Sequence, residues 1–185
     1  KPTPEKESAG GLAFIETSLW NALPSYLRRL DAVCVEHLGA PLPLDAAPIR
    51  LCSWMGGDRD GNPNVTSSVT RRVVAAQRKQ GAEMFLKCLE GLRLDLSVRH
   101  ASQKIKDQTD AAEPYRAVID KLADRLRATV KWADGELDEE NKLTSSSTPL
   151  YDTAELLLAL MEMLESLVEF GYEDLANGRL KDTIR

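Results

Sequence analysis

Apolar residues recur at every third or fourth position along most of the chain, which is the spacing of one face of an α-helix. In the first segment this pattern ends at Gly39 and Pro41, and Pro24 predicts a kink or the start of a new helix. The same spacing predicts four later helices: about Thr66 to His100, about Ala111 to Asp134, about Asp152 to Phe170, and Glu173 to the end, the last with an interruption near Asn177-Gly178. The predicted fold class is therefore mainly α.

Two stretches depart from the helical pattern. Ile49–Trp54 alternates apolar and polar residues between Pro48 and a glycine pair, which predicts one short β-strand. The stretch 134–149 is acidic and then serine-rich with almost no apolar residues, which is typical of a flexible linker. The predicted order is helix, strand, glycine loop and then helices.

Composition and charge exclude several classes of function. The chain of 185 residues has 24 Lys and Arg against 29 Asp and Glu, a net charge of −5, and only 5% aromatic residues. These values argue against nucleic-acid binding, which needs clustered positive charge and stacking platforms. The most apolar stretch, 154–170, carries four glutamates, so no membrane span is predicted. Three widely spaced cysteines without a CxxC pair favour a reducing compartment, the cytoplasm.

The segment Ser53–Thr66, SWMGGDRDGNPNVT, is the most distinctive part of the chain. The predicted strand leads into Gly56 and Gly57, which allow backbone conformations that other residues rarely adopt. Ligands commonly bind where a strand ends in such a loop. Since no Lys-Ser or Lys-Thr follows the glycines, the loop is not a phosphate-binding Walker loop.

Within this loop, Arg59 is flanked by two acidic residues, Asp58 and Asp60. Carboxylates on both sides can orient a guanidinium, whose planar fork suits an oxyanion such as phosphate or carboxylate. A plainer alternative is a tight turn in which Asp58 and Asp60 cap backbone amides and Arg59 makes a local salt bridge. A calcium loop is a third and weaker alternative, because Gly61 falls at the fourth position and no glutamate follows at the required distance.

The sequence LCSWMGGDRDGNPNVT, Leu51 to Thr66, resembles the FxSWMGGDRDGNPNVT motif of phosphoenolpyruvate carboxylases. Other elements of that family follow in the same order along nearly the whole chain: GLAFIETSLWNALPSYLRRLD upstream, and AAEPYRAVIDKLADRL and LANGRLKDTIR downstream. The resemblance implies that residues 1–185 are an internal fragment of a larger, predominantly helical enzyme that contains an α/β-barrel. The predicted strand would be one of the strands of that barrel.

The resemblance also implies an activity. Family members are carbon–carbon lyases that join bicarbonate to phosphoenolpyruvate, giving oxaloacetate and phosphate, with magnesium or manganese as cofactor. Arg59 would then be a catalytic and substrate-binding residue. The rest of the loop would be its framework: Gly56, Gly57, Asp58, Asp60, Gly61 and Asn62. The implied partners are the two substrates, the remainder of the parent polypeptide and further copies of the parent in a homo-oligomer, but neither nucleic acid nor a membrane.

Several family motifs do not occur in these residues. Neither His37 nor His100 lies in the TAHPTE-type motif of the catalytic histidine, and the FHGRGGS-type loop and the metal-binding acids are also missing. The fragment alone is therefore expected to be inactive, and no metal ligand is assigned to it. A helical interaction or scaffold module derived from the enzyme is the alternative function. Other residues carry only a structural expectation. Trp54 and the cysteines are expected to be buried. A solvated helix face is expected for Arg71, Arg72, Arg78 and Lys79.

Overall fold

The computed structural model describes residues 3–138 and 150–185, and most of them are helical. The elements in chain order are α1 (Pro4–Phe14), a π-helical turn (Ile15–Leu19), α2 (Trp20–Leu38), α3 (Ser67–Asp95), α4 (Gln103–Lys106), α5 (Pro114–Leu137), α6 (Thr153–Glu169), α7 (Glu173–Leu175), a second π-helical turn (Ala176–Leu180) and α8 (Lys181–Ile184). They form two compact units. The first comprises the described parts of Lys1–Gly81 and Val130–Ser145, and the second those of Ala82–Thr129 and Ser146–Arg185. The mainly α prediction is confirmed.

In the first unit, α1 and α2 are joined without a loop. The chain widens at Ile15–Leu19 into a π-helical turn, in which the Trp20 N–H donates to the Ile15 carbonyl five residues earlier. A new helix therefore begins at Trp20, four residues before Pro24. The helix ends at Gly39, which has a left-handed φ of 76° and donates its N–H to the Val35 carbonyl at 3.1 Å. The predicted end of this segment is confirmed.

Polar contacts fix the first turns of α3 within the same unit. The Thr66 hydroxyl accepts from the Val69 N–H at 3.3 Å and caps the helix at its predicted start, although the helix ends at Asp95 rather than near His100. The Arg72 Nη2 lies 2.6 Å from the Glu5 carboxylate, and the Gln80 Nε2 donates to the Leu12 carbonyl at 3.1 Å.

The basic residues of α3 make specific contacts with α5. Arg71 donates to both carboxylate oxygens of Glu136, at 2.5 and 2.9 Å. Lys79 donates to Asp134, and the Arg78 guanidinium lies 5.8 Å from the centre of the Trp132 ring. Arg71 is exposed, as expected of a solvated face, whereas Arg72, Arg78 and Lys79 are half-buried. Opposite charges on a neighbouring helix, which a one-helix pattern does not reveal, hold Arg71 and Lys79.

The second unit has an apolar core around α5 and α6. Its fully buried large side chains come from several helices: Leu89, Leu92, Leu96, Ile105, Tyr115, Ile119, Leu126, Leu160, Met163, Leu167 and Leu180. One polar group is satisfied within this core, because the Ser166 hydroxyl lies 2.7 Å from the Tyr115 hydroxyl and accepts from the Ser102 N–H at 2.8 Å. The α6 boundaries agree with the prediction, and Asp152 caps its first turn.

The predicted strand Ile49–Trp54 is not formed, and the structure contains no strand among residues 3–138 and 150–185. A strand needs a neighbour to pair its backbone groups, and no described residue pairs with the backbone N–H groups of this stretch. Its apolar side chains are exposed, and Trp54 is 73% exposed instead of buried. Cys52 is also exposed, although Cys34 is buried as expected.

The predicted linker 134–149 begins too early, because α5 continues to Leu137 and its end is held by the contacts of Asp134 and Glu136. The remainder of the predicted linker, 139–149, lies outside the described residues. Within the described parts of the chain, none of the helices has the length and apolar character that a membrane crossing requires.

Candidate functional site

The loop that carries Arg59 begins with a tight turn. The Trp54 carbonyl accepts two hydrogen bonds, from the Gly57 N–H at 3.0 Å and from the Asp58 N–H at 2.9 Å. The turn requires a left-handed residue at Gly56, whose φ is 72°. The conformational freedom expected of the first glycine is therefore used, whereas Gly57 has a negative φ and a side chain there would meet no close atom.

Helix α3 holds this turn from one side. The Thr70 hydroxyl donates to the Gly56 carbonyl at 2.7 Å and also lies 3.1 Å from the Thr66 carbonyl of its own helix. A Cβ at Gly56 would lie only 2.6 Å from the Val73 Cγ2, so the loop backbone packs directly against this side chain. Gly56 is buried while its neighbours Trp54 and Gly57 are exposed. The turn is thus attached to α3 at one residue.

The second half of the loop is held by local turns. The Asp58 Oδ1 accepts from the Asp60 N–H at 3.2 Å, and the Asn62 Oδ1 accepts from the Asn64 N–H at 3.0 Å. The Asn62 N–H donates to the Arg59 carbonyl, so Arg59 lies at the start of a reverse turn. The Asp58 contact is a backbone cap of the kind expected in the plainer alternative, whereas the second cap comes from Asn62 instead of Asp60.

The side chain of Arg59 is exposed. The structure shows no ion pair between Arg59 and any residue in 3–138 or 150–185, so the expected orientation by Asp58 and Asp60 is not present. Asp58 uses a carboxylate oxygen on the loop backbone instead. Among the described residues, the Arg59 guanidinium therefore has no carboxylate partner.

The loop shows no assembled site for a divalent metal. The oxygens Asp58 Oδ1 and Asn62 Oδ1 each accept a backbone N–H group and so shape the turns of the loop. No group of three His, Cys, Asp or Glu side chains that could hold a metal ion occurs in the described parts of the chain. His37 and His100 are exposed and lie outside the loop, at the end of α2 and beyond the end of α3.

Two residues with a role at this loop were not identified from the sequence, Thr70 and Val73. Both lie in the first two turns of α3, one and nearly two turns after the capping Thr66. Residues at this spacing share one helix face, and the loop lies directly before the helix. The spacing therefore contained a signal, but the sequence alone does not show which contacts Thr70 and Val73 make.

The fold and the loop define a mainly helical segment that presents an arginine from a glycine-containing turn. The phosphoenolpyruvate carboxylase family model matches residues 1–185. The chain therefore belongs to the phosphoenolpyruvate carboxylase family.

Curated relatives agree over the whole chain. It is 46% identical over 186 residues to phosphoenolpyruvate carboxylases of Pseudomonas putida and of Pseudomonas syringae pv. syringae, and 43% identical to that of Hahella chejuensis. In each case the match covers 100% of this chain and 21% of the relative. The chain thus spans about one fifth of the length of these relatives.

Proposed function

We propose that this chain is part of a phosphoenolpyruvate carboxylase, which joins bicarbonate to phosphoenolpyruvate and gives oxaloacetate and inorganic phosphate. Family membership over residues 1–185 supports the activity. The observation that carries the role of this segment is the state of Arg59, which extends from a backbone fixed by turns and whose guanidinium has no ion pair with any described residue. The segment supplies an anion-binding loop and is inactive alone.

The chemistry of the reaction explains the need for such a group. Both reactants are anions, and negative charge moves between phosphate, bicarbonate and an enolate. A guanidinium offers five N–H donors in a planar fork that matches two oxygens of a phosphate or carboxylate. When the rest of the enzyme excludes water, an electrostatic contact of this kind can stabilise the developing charge by about 3 kcal/mol. Arg59 binds and orients the anions in this scheme, while its loop neighbours hold the backbone.

The segment before the loop supports a place within a longer chain. Ile49–Trp54 has unpaired backbone N–H groups within the described residues and exposes Leu51 and Trp54. Pairing with a neighbouring strand would satisfy these groups and cover these side chains. In our proposal the remainder of the enzyme supplies that neighbour, and Ile49–Trp54 becomes a strand of its α/β-barrel. The loop would then lie at the carboxyl end of this strand, where barrels place active sites.

The remaining properties of the parent enzyme are part of the same proposal. A magnesium or manganese ion would supply charge stabilisation to the reaction, but its ligands are expected outside this segment, since the metal-binding acids of the family do not occur in these residues. The parent is proposed to be a cytoplasmic homo-oligomer. Three free cysteines, one of them exposed, are consistent with a reducing compartment.

The test is steady-state kinetics of Arg59→Lys and Arg59→Gln in a full-length carboxylase that carries this segment. Lysine keeps the charge but loses the planar fork, so turnover should fall by about 10²-fold while the fold is retained. Arg127→Lys is the matched control, because Arg127 is exposed and lies on α5 in the second unit. Near-normal turnover and unchanged saturation by both substrates in the Arg59 variants would contradict the anion-binding role and leave Arg59 only a structural role in the turn.

A further inference from the structure

We propose that Thr70 is a positioning residue for Arg59: its hydroxyl fixes the Gly56 peptide on α3 and thereby sets where the loop presents the guanidinium. This inference rests on the proposed function, because it assigns Thr70 a catalytic consequence only through Arg59. The carrying observation is the 2.7 Å hydrogen bond from the Thr70 Oγ1 to the Gly56 carbonyl.

The loop has few other attachments to the first unit. Its remaining hydrogen bonds join residues that lie two to four positions apart, from Ser53 to Asn64. Such bonds fix the shape of the turns, but they do not fix where the turns lie. The Thr70 hydroxyl spans 14 positions of sequence and connects the loop to a long helix. Together with the packing of the Met55 side chain against Gly11 of α1 and of Gly56 against Val73, this hydrogen bond sets where the loop lies.

The packing around Gly56 makes this attachment specific. Gly56 is buried, and its backbone approaches Val73 so closely that a Cβ would lie 2.6 Å from the Val73 Cγ2. A carbonyl in this place has restricted access to water. Without the Thr70 hydroxyl it would lose its partner, which is costly for a buried acceptor. The loop would then shift to reach solvent, and Arg59, three residues further on, would move with it.

Helix α3 has further contacts directly beside Thr70. The next two residues pair with other helices of the first unit, Arg71 with Glu136 of α5 and Arg72 with Glu5 of α1. Thr70 thus lies on a part of the helix that is fixed from two further directions. A displacement of the loop on loss of the hydroxyl is consequently expected to be local, with α3 in place.

The experiment uses the full-length carboxylase and the substitutions Thr70→Val, Thr70→Ser and Thr183→Val. Valine keeps the shape of threonine and removes the donor, so kcat/KM should fall by about tenfold, the equivalent of ~1.4 kcal/mol. Serine keeps the hydroxyl and should restore most of the activity. Among the described residues, Thr183 donates to the Arg179 carbonyl of its own helical segment. Thr183→Val therefore controls for loss of a helical threonine hydroxyl and should leave kcat/KM unchanged.

A double-mutant cycle decides whether Thr70 acts through Arg59. If it does, Thr70→Val lowers kcat/KM about tenfold in the wild-type background and has little further effect beside Arg59→Gln. An equal loss in both backgrounds would show a general structural role and overturn the proposal. So would wild-type activity of Thr70→Val, or the same loss in Thr70→Ser.

Hydrogen exchange separates failure of this inference from failure of the proposed function. In Thr70→Val, amides of residues 55–62 should exchange faster than in wild type, while those of α3 are unchanged. If Arg59→Gln turns over normally, the proposed function fails and the catalytic part of this inference fails with it. Faster loop exchange would then show that Thr70 holds the loop without consequence for the reaction. Unchanged loop exchange would refute the positioning role itself.

Discussion

Replacement of Gly56 by alanine tests the packing of the loop against α3. Two costs add at this position. Gly56 has a φ of 72°, where a residue with a Cβ is less stable by about 1–2 kcal/mol. The new Cβ would also lie 2.6 Å from the Val73 Cγ2 and 2.9 Å from the Val73 Cβ. Overpacking of this kind typically costs about 1–3 kcal/mol. We therefore expect Gly56→Ala to lower the free energy of unfolding by roughly 2–5 kcal/mol.

Gly61→Ala is a matched control for the first cost alone. Gly61 has the same φ of 72°, and a Cβ there would have no atom within 4 Å. Its expected loss is therefore only about 1–2 kcal/mol. The difference between the two variants isolates the contact with Val73. Val73→Ala should recover part of the loss when combined with Gly56→Ala, which gives a coupling of about 1 kcal/mol or more in the cycle.

Urea unfolding followed by tryptophan fluorescence measures this difference. All three tryptophans, Trp20, Trp54 and Trp132, lie in the first unit with the loop. With a slope of ~2 kcal/mol per molar urea, an extra loss of 2 kcal/mol lowers the midpoint by about 1 M relative to Gly61→Ala. Equal midpoints for Gly56→Ala and Gly61→Ala would refute the argument that Gly56 is required by close packing.

Two further predictions concern the pairing of helices within each unit. The hydrogen bond from Arg72 holds the pKa of Glu5 below its usual range, so the pair contributes stability above the unfolded carboxyl value of about 4.3 and loses it as the pH falls further. When the pH is lowered from about 5 to about 3, the free energy of unfolding of the Glu5→Gln variant should therefore fall less than that of wild type. Tyr115→Phe should lower the free energy of unfolding by about 1–2 kcal/mol, measured by far-ultraviolet circular dichroism, because it removes a fully buried hydroxyl bonded to Ser166. A pH dependence unchanged by Glu5→Gln, or a Tyr115→Phe variant as stable as wild type, would contradict the respective contact.

The helices were largely predictable from local features. Helices α3 and α6 begin close to the predicted residues Thr66 and Asp152, which cap them, and Gly39 ends α2, because these features act within one turn of the chain. The stretch Ile49–Trp54 was not predictable in the same way. Its alternation favours a strand, but strand formation depends on a partner, and the described residues provide none.

In the candidate site, too, local features were predictable and contacts with other parts of the chain were not. The turns at Gly56 and Gly61 could be predicted from residue type, and both residues have the positive φ that favours glycine. The alternation of charge around Arg59 suggested that the aspartates orient it, whereas Asp58 instead caps the loop backbone. A sequence pattern does not show which of two nearby donors a carboxylate will accept. The hydrogen bond between Thr70 and Gly56 joins residues 14 positions apart, so the local sequence did not predict it either.

The π-helical turn between α1 and α2 acts as a one-residue insertion in an otherwise continuous helix. Each α-helical residue turns the chain by about 100°, so this extra residue rotates α1 relative to α2 by roughly that angle. Glu5 reaches Arg72 from the rotated helix. Deletion of one residue within Ile15–Leu19 would restore a regular helix and turn the Glu5 face of α1 away from α3. An insertion or deletion here would thus rotate a whole face of α1 and would change the contact of Glu5, which lies ten residues before Ile15.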